Sequence, residues 1–395
     1  MKKRLKPFIE RVIADVGTRT AGSEGEAAAA EMIAKEFRER GAETSIERMP
    51  TYPEHLRAMI RILAYSYLAA VVAYPFFPAA TVLITSAALA FLLLARKVSP
   101  KVIDFFLKAG ETQNVVGVYR AKGEKKKTLI FSGHHDSPYM MPLLSPPYKR
   151  NVHRMENGVV FGLVLTIPAG VARAIFAGPV INLYDFPKSM GWWDTLFPVI
   201  VLGLFLALFF RANMLTNEEN LGANDNLSAV AVLIGIGNCL KENRLKNTEV
   251  WLVSFGSEEV FGYGSNGFAE AHRGTIKDAL NVNIETVGAG TLAIIEREKH
   301  HGMAYSPEVI EIIKRGGGRR GFDLEEVAIT YGGTDSYAII KGGGKSACLF
   351  GMDETNLFSL WHSPEDKPEN IGEERLADAL SVCLGIIEEA EKEID

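Results

Sequence analysis

Residues 128–137 read Thr128-Leu129-Ile130-Phe131-Ser132-Gly133-His134-His135-Asp136-Ser137. An apolar, β-branched run predicts a buried strand over 128–132, and the chemistry begins where it stops. His134 and Asp136 are two apart, so they project to the same side of an extended chain. A carboxylate so placed can fix a ligating imidazole, directly or through neighbouring contacts. The same arrangement recurs downstream. The strand predicted over 248–255 ends in Gly256-Ser257-Glu258-Glu259, and the one over 280–284 ends in Glu285. Adjacent carboxylates at a strand end are costly to hold together unless a cation is present or one is protonated. Gly222-Ala223-Asn224-Asp225-Asn226 precedes a helix, and Trp361-His362-Ser363-Pro364-Glu365-Asp366 precedes the last one. Each element alone has an ordinary reading: His134 or His362 as a hydrogen-bonded loop histidine, Asp225 as a helix cap, the glutamate pair as a solvated turn. Their joint placement points elsewhere. Strand carboxyl ends of an α/β sheet converge on one crevice. Two histidines and several carboxylates there suit zinc, and leave one carboxylate over as a general base.

Working outward, helix and strand alternate. Ser23 caps a helix over 24–40 that places Ala29, Ile33 and Phe37 on one face, with Gly41 as its stop. Short strands are expected over 44–48, 114–119, 292–295 and 347–351, with the strand over 114–119 adjacent to the one over 128–132. Helices are expected over 226–240 and 306–314, with a closing helix over 371–391 that aligns Leu376, Leu380, Leu384 and Ile387. The fold class is α/β, a mixed, largely parallel sheet with helices on both faces. Gly316-Gly317-Gly318 and Gly342-Gly343-Gly344 read as loops and match no phosphate-binding pattern.

Two apolar segments interrupt this pattern. Residues 62–74 carry no charge, Pro75-Phe76-Phe77-Pro78 breaks the run, and 79–95 continue it. Residues 158–172 are apolar, as is the stretch from Arg173 to 184, and 192–210 carry only Asp194. Trp192-Trp193 resembles an interfacial aromatic anchor. These runs predict four transmembrane helices in two hairpins, 58–96 and 158–210, inserted in a catalytic domain made of 1–57, 97–157 and 211–395. Arg57, Arg61, Arg96, Lys97, Lys101, Lys149, Arg150, Arg154 and Arg211 flank the domain-proximal ends, while the 75–78 turn has no basic residue. That asymmetry places the catalytic domain and both termini in the cytoplasm. Arg173 is the exception inside the second hairpin, where it ends a helix, snorkels or faces a partner. No apolar stretch of signal-peptide type follows Met1-Lys2-Lys3-Arg4. The 395-residue chain has net charge −5, which gives no support to nucleic-acid binding. Its three cysteines form no paired spacing, against a disulfide framework or a cysteine-rich zinc module.

These residues resemble the co-catalytic di-zinc aminopeptidase family, which includes bacterial and yeast vacuolar aminopeptidases, glutamate carboxypeptidase and glutaminyl cyclase. The resemblance covers the whole non-membrane chain and begins at Arg19-Thr20-Ala21-Gly22-Ser23-Glu24-Gly25. It implies two zinc ions, one held by His134, Asp225 and Glu285, the other by Asp225, Glu259 and His362, with Asp225 bridging. Glu258 is then the general base and Asp136 orients His134. Gly332-Gly333-Thr334-Asp335-Ser336 resembles a family loop beside the substrate pocket, which makes Gly333, Thr334 and Asp335 substrate-binding candidates. Three departures stand out. Glu285 replaces the usual aspartate. Trp361 stands where some members carry an oxyanion-stabilising tyrosine, with Tyr331 as the substitute. The 91 residues from His134 to Asp225 far exceed the family connection, because the second hairpin fills that gap.

The implied activity is a membrane-bound aminopeptidase, in which a metal-activated water attacks the peptide carbonyl and Glu258 moves the proton. A carboxypeptidase, an N-acyl amino acid hydrolase or a glutaminyl-cyclase-like enzyme could use the same centre. A non-enzymatic membrane scaffold would be expected to have lost ligands, and here every ligand position is filled. The expected partners are a peptide or aminoacyl substrate and the lipid bilayer, with homo-oligomer formation left open. The short link from Arg211 to Asn220 spans at most about 35 Å, so the metal centre is expected near the bilayer surface.

Overall fold

The computed structural model describes residues 4–97, 101–145 and 147–392. The side chains of residues 95–102, among them Arg96, Lys97 and Lys101, lie outside the described set. The chain forms two compact units. One comprises residues 1–53, 109–140 and 217–395; the other comprises 54–108 and 141–216. The second is wider at each end than the hairpins expected at 58–96 and 158–210.

The first unit is built on nine strands: β1 (Glu43–Thr51), β2 (Gly110–Tyr119), β3 (Lys127–His134), β4 (Thr248–Phe255), β5 (Leu280–Glu285), β6 (Thr291–Glu298), β7 (Met303–Ala304), β8 (Glu325–Ile329) and β9 (Lys345–Met352). The order is β1-β2-β4-β3-β5-β9-β6-β7, with β8 paired to β6. Adjacent pairs β4/β3, β3/β5, β5/β9 and β6/β8 are parallel. Pairs β1/β2, β2/β4, β9/β6 and β6/β7 are antiparallel. The sheet is therefore evenly mixed rather than largely parallel. β4 and β5 are buried at every position, as strands covered on both faces should be, and in β5 this buries Asn281 and Asn283 as well as the apolar positions. β1 alternates in exposure, the pattern of an edge strand.

Two sequence expectations are corrected. β2 and β3 are not neighbours, because β4 lies between them and pairs with both. The turn-like stretch 120–127 between them implied adjacency, but β3 pairs parallel with β4 instead. The glycine triplet 316–318 is not a loop either: the helix Pro307–Arg319 runs through it. A Cβ at Gly316 would meet the Ile386 backbone nitrogen at 2.5 Å, so glycine allows this helix to press against Glu373–Lys392. In that last helix Leu376 and Ile387 are buried while Leu380 and Leu384 are only partly so; Val382, Cys383 and Ile386 complete the packed face. The helix capped by Ser23 runs Glu24–Glu39, with Ala29, Ile33 and Phe37 buried as the spacing predicts.

The second unit packs the helices His55–Ala73, Pro78–Lys97, Val152–Phe176 and Phe197–Met214. Among the described residues, three stretches are long and apolar enough to cross a membrane: His55–Ala73, Lys149–Phe176 and Trp192–Met214. Pro78–Leu94 is apolar but shorter among the described residues. Tyr67 is fully buried between Gly162 and Gly203, which leave room for its ring, and its hydroxyl donates to Ile200 O at 2.8 Å. Arg173 ends no helix, since Val152–Phe176 continues past it. It faces a partner. Nη1 donates to both Asp194 oxygens at 3.0 and 2.9 Å, and Nη2 donates to Ser189 Oγ at 2.8 Å. Tyr74 Oη and Gly191 N also donate to Asp194.

Candidate metal centre

Parallel pairing of β4, β3 and β5 brings their carboxyl ends to one edge, with His134 in register with Phe255. There His134, Asp225, Glu258, Glu259, Glu285 and His362 converge. His134 Nε2 lies 3.2 Å from Asp225 Oδ1, 3.5 Å from Glu285 Oε2 and 3.8 Å from Glu258 Oε2. His362 Nε2 lies 3.0 Å from Glu259 Oε2 and 3.4 Å from Asp225 Oδ2. The two oxygens of Asp225 thus face the two histidines. Sets His134/Asp225/Glu285 and Asp225/Glu259/His362 each bring three ligand atoms within 4.8 Å of one another.

These positions are held by backbone hydrogen bonds to buried side chains. Asp136 accepts from Glu258 N at 3.0 Å and from Glu259 N at 3.1 Å, while its carbonyl and carboxylate oxygens lie 3.2 and 3.3 Å from His134 Nδ1. It therefore joins the β3 end to the glutamate turn as well as facing the imidazole. Asp366 accepts from the backbone of Asn224 and Asp225. Asn226 Nδ2 donates to Glu285 Oε2 at 2.6 Å, and its Oδ1 accepts from Thr286 N at 3.1 Å. Arg19 is fully buried and donates to the carbonyls of His135, Leu221 and Gly222, which ties the loop after His134 to the loop before Asp225. The roles of Arg19, Asn226 and Asp366 escaped sequence reasoning. Only the opening motif around Arg19 and the carboxylate four residues after His362 hinted at them. Ser257, Thr286 and His362 hold φ of 50°, 51° and 49°, so left-handed backbone is concentrated at the site.

Burial dominates the electrostatics. It pushes Glu258 well above the usual carboxylate range against the pull of His134, with Asp335, Glu259 and Glu285 adding to the rise. It lifts Glu259 to about 7 although His362 opposes it. Burial also works to raise Asp225, but the adjacent imidazoles of His134 and His362 overcome it and hold that carboxyl below its usual range. His135 is buried, pushed down to about 3 by that burial, and bound to Ser254 Oγ at 2.9 Å, so it stands apart from the cluster.

The donor set fits a divalent metal. Asp225 Oδ2, Glu259 Oε1 and His362 Nδ1 are buried without a hydrogen bond. With neutral imidazoles, the four carboxylates Asp225, Glu258, Glu259 and Glu285 leave an excess of negative charge that no contacting Lys or Arg offsets among the described residues. Nitrogen and oxygen donors at this density suit zinc.

The loop 332–335 is held from behind. Thr334 N donates to Glu298 Oε1 at 2.9 Å, and Thr334 Oγ1 lies 2.7 Å from Tyr305 Oη, so its polar groups fix the loop. A Cβ at Gly333 would meet the His301 ring at 2.6 Å. Asp335 is 1% exposed and neither carboxylate oxygen accepts a hydrogen bond; the nearby Ser265 hydroxyl donates to Gly262 O instead. Burial lifts Asp335 to about 8, against the pull of His134. The Tyr331 ring lies 6.2 Å from Trp361, which lies 5.2 Å from His362.

Residues 192–387 match Peptidase family M28, a span that contains Asp225, Glu258, Glu259, Glu285 and His362 but starts after His134. Aminopeptidase YwaD of Bacillus subtilis (strain 168) is 28% identical over 176 residues, 43% of this chain. The chain spans only 38% of the length of that relative. BSAP, a zinc aminopeptidase from Bacillus subtilis, superposes with a TM-score of 0.58 at 16% identity, over 98% of this chain and 95% of that one. A Zn-dependent exopeptidase from Parabacteroides distasonis gives 0.57 at 14% identity, over 98% and 97%. The glutaminyl cyclase of Bacteroides thetaiotaomicron gives 0.57 at 12% identity, over 98% and 97%. At these identities the solved structures establish the shared mixed α/β fold. Residues 192–387, just under half of the chain, thus carry the sequence of peptidase family M28, and the chain is similar in fold to solved zinc peptidases and glutaminyl cyclases.

Proposed function

We propose that this protein is a membrane-bound, zinc-dependent aminopeptidase. The observation that carries the reading is Asp225, whose two oxygens face His134 and His362 while Glu258 stands alongside. His134, Asp225 and Glu285 would hold one zinc ion; Asp225, Glu259 and His362 would hold a second. Two divalent ions match the four negative charges of Asp225, Glu258, Glu259 and Glu285. The chemistry that zinc supplies in such a site is Lewis acidity toward a carbonyl and a lowered pKa for water. Glu258 is the most open of the four, with its side chain 19% exposed, and Asp136 fixes its backbone. Its carboxylate takes the proton of the attacking water and returns it to the amine nitrogen as the peptide C–N bond breaks. Asp335, buried and without a hydrogen bond, is suited to a substrate α-ammonium, and Tyr331, its ring 6.2 Å from that of Trp361, is the substitute for the oxyanion-stabilising tyrosine.

The bilayer enters through the second unit. His55–Ala73 has 19 residues and spans about 28 Å at about 1.5 Å per residue, close to a hydrocarbon core. Val72, Leu83, Phe161, Leu202 and Phe205 present more than half of their surface outward. Lipid is the solvent these side chains fit, and the basic residues quoted above argue for a cytoplasmic catalytic unit.

Zinc titration of the purified full chain, followed by hydrolysis of aminoacyl amides, tests the reading. Two zinc ions per chain and release of free amino-terminal residues are expected. Glutaminyl cyclases share the fold, so the same preparation should be offered a peptide with amino-terminal glutamine. Ammonia release without peptide cleavage, at one zinc per chain, would replace the aminopeptidase reading.

A further inference from the structure

Glu26, the residue that follows the opening motif, carries no role in the chemistry above. It is the third residue of the helix capped by Ser23, and its Oε2 accepts from Gly22 N at 2.9 Å. That bond alone belongs to a helix start. The other oxygen leaves the helix. Glu26 Oε1 accepts from Ser257 N at 2.7 Å, from Ser257 Oγ at 3.1 Å and from Thr112 Oγ1 at 2.8 Å. Glu26 is 0% exposed. A Cβ at Gly256 would lie 2.8 Å from Glu26 Oε1, so the backbone passes directly against the carboxylate.

Ser257 begins the turn that carries Glu258 and Glu259, and its φ of 50° is left-handed for a side chain with a Cβ. Such a residue costs about 1–2 kcal/mol and persists only where its surroundings hold it. Three consecutive backbone N–H groups of this turn end on two buried carboxylates: Ser257 N on Glu26, Glu258 N and Glu259 N on Asp136. A buried polar carboxyl group is costly unless its hydrogen-bonding positions are filled, and four hydrogen bonds fill them here, two of them to Ser257.

We propose that Glu26 is a positioning residue of the active site, which sets the Ser257 turn so that Glu259 meets the metal and Glu258 meets the substrate. The inference rests on the proposed zinc peptidase reading for its catalytic consequence, but not for its metal-binding consequence. Outer residues that orient ligands typically change metal affinity or activity by about 10–100-fold when removed.

The test uses the full chain with zinc itself as the probe. Glu26→Asp withdraws the carboxylate from Ser257 by one methylene. It should weaken binding of the zinc held by Glu259 about tenfold in a chelator competition, and lower kcat about tenfold with KM changed less than about threefold. Glu26→Gln keeps a neutral acceptor toward Ser257 and should recover most of both losses. A purely structural helix cap would move melting temperature without this split or this rescue. A folded Glu26→Asp with wild-type zinc affinity and kcat overturns the proposal. If Glu26→Asp does not fold, Ser257→Ala removes only the hydroxyl arm; about threefold weaker zinc supports the proposal and unchanged affinity overturns it. If zinc affinity falls as stated while the wild type cleaves no peptide or aminoacyl amide, the positioning role stands and the peptidase reading fails.

Discussion

The two units bury ionisable groups in opposite ways. In the helical unit Arg173 and Asp194 are both fully shielded and close on each other, with Tyr74, Ser189 and Gly191 filling the remaining positions. The charge sums to zero within the chain. In the sheet unit Asp225, Glu258, Glu259 and Glu285 crowd two imidazoles and leave carboxylate oxygens without donors. Desolvating a charge is costly in both places. One unit answers with an internal partner and becomes a closed structural feature. The other leaves the answer to a bound cation, and that open balance is what makes it a site.

The comparison is broken most severely at Glu258. Glu258→Gln should lower kcat by about 10²–10⁴-fold while zinc stays bound, because it removes the proton acceptor without touching the proposed ligands. Steady-state kinetics with metal analysis reads both, and near wild-type turnover would reassign the two glutamates. In the helical unit the largest effect comes from removing one partner alone. Arg173→Met should destabilise the detergent-purified chain by about 3–5 kcal/mol, because Asp194 is left buried and unpaired. Adding Asp194→Leu should recover much of that loss, short of the part due to the Tyr74 and Gly191 donors. A thermal series of the three proteins checks this, and an unaffected single variant would show that the pair is not a closed feature.

The smallest effect concerns pH. Burial lifts Glu26 and Asp335 to about 8 in the metal-free fold. Unfolded carboxyls titrate near about 4. The stability contributed by these protonated groups is therefore complete below about pH 4 and is lost as pH rises through about 8. Metal-free protein should melt progressively lower from about pH 5 to about pH 8, and zinc should reduce the slope. A flat profile for the metal-free protein would show that these carboxyls are not held protonated.

What the sequence settled by itself was local. A β-branched run predicts a strand whatever surrounds it, so the β3, β4 and β5 ends were visible together with the residues that follow them. Long uncharged runs expose the helical unit for the same reason, since hydropathy is a property of composition. Tertiary structure decided what depends on partners distant in the chain. β4 entered between β2 and β3 because pairing is chosen by sheet packing and not by the nearest turn. The glycines at 316–318 read as a loop, yet a helix runs through them, and at Gly316 the helix Glu373–Lys392 lies close enough to require the missing Cβ. Arg173 could have snorkelled or capped, and only folding brought Asp194 to it. Glu26 and Ser257 stand 231 positions apart, and no local pattern links a helix cap to a catalytic turn. Hydrogen-bond partners at that separation are selected by burial, which leaves each polar group only the donors that the fold happens to bring near.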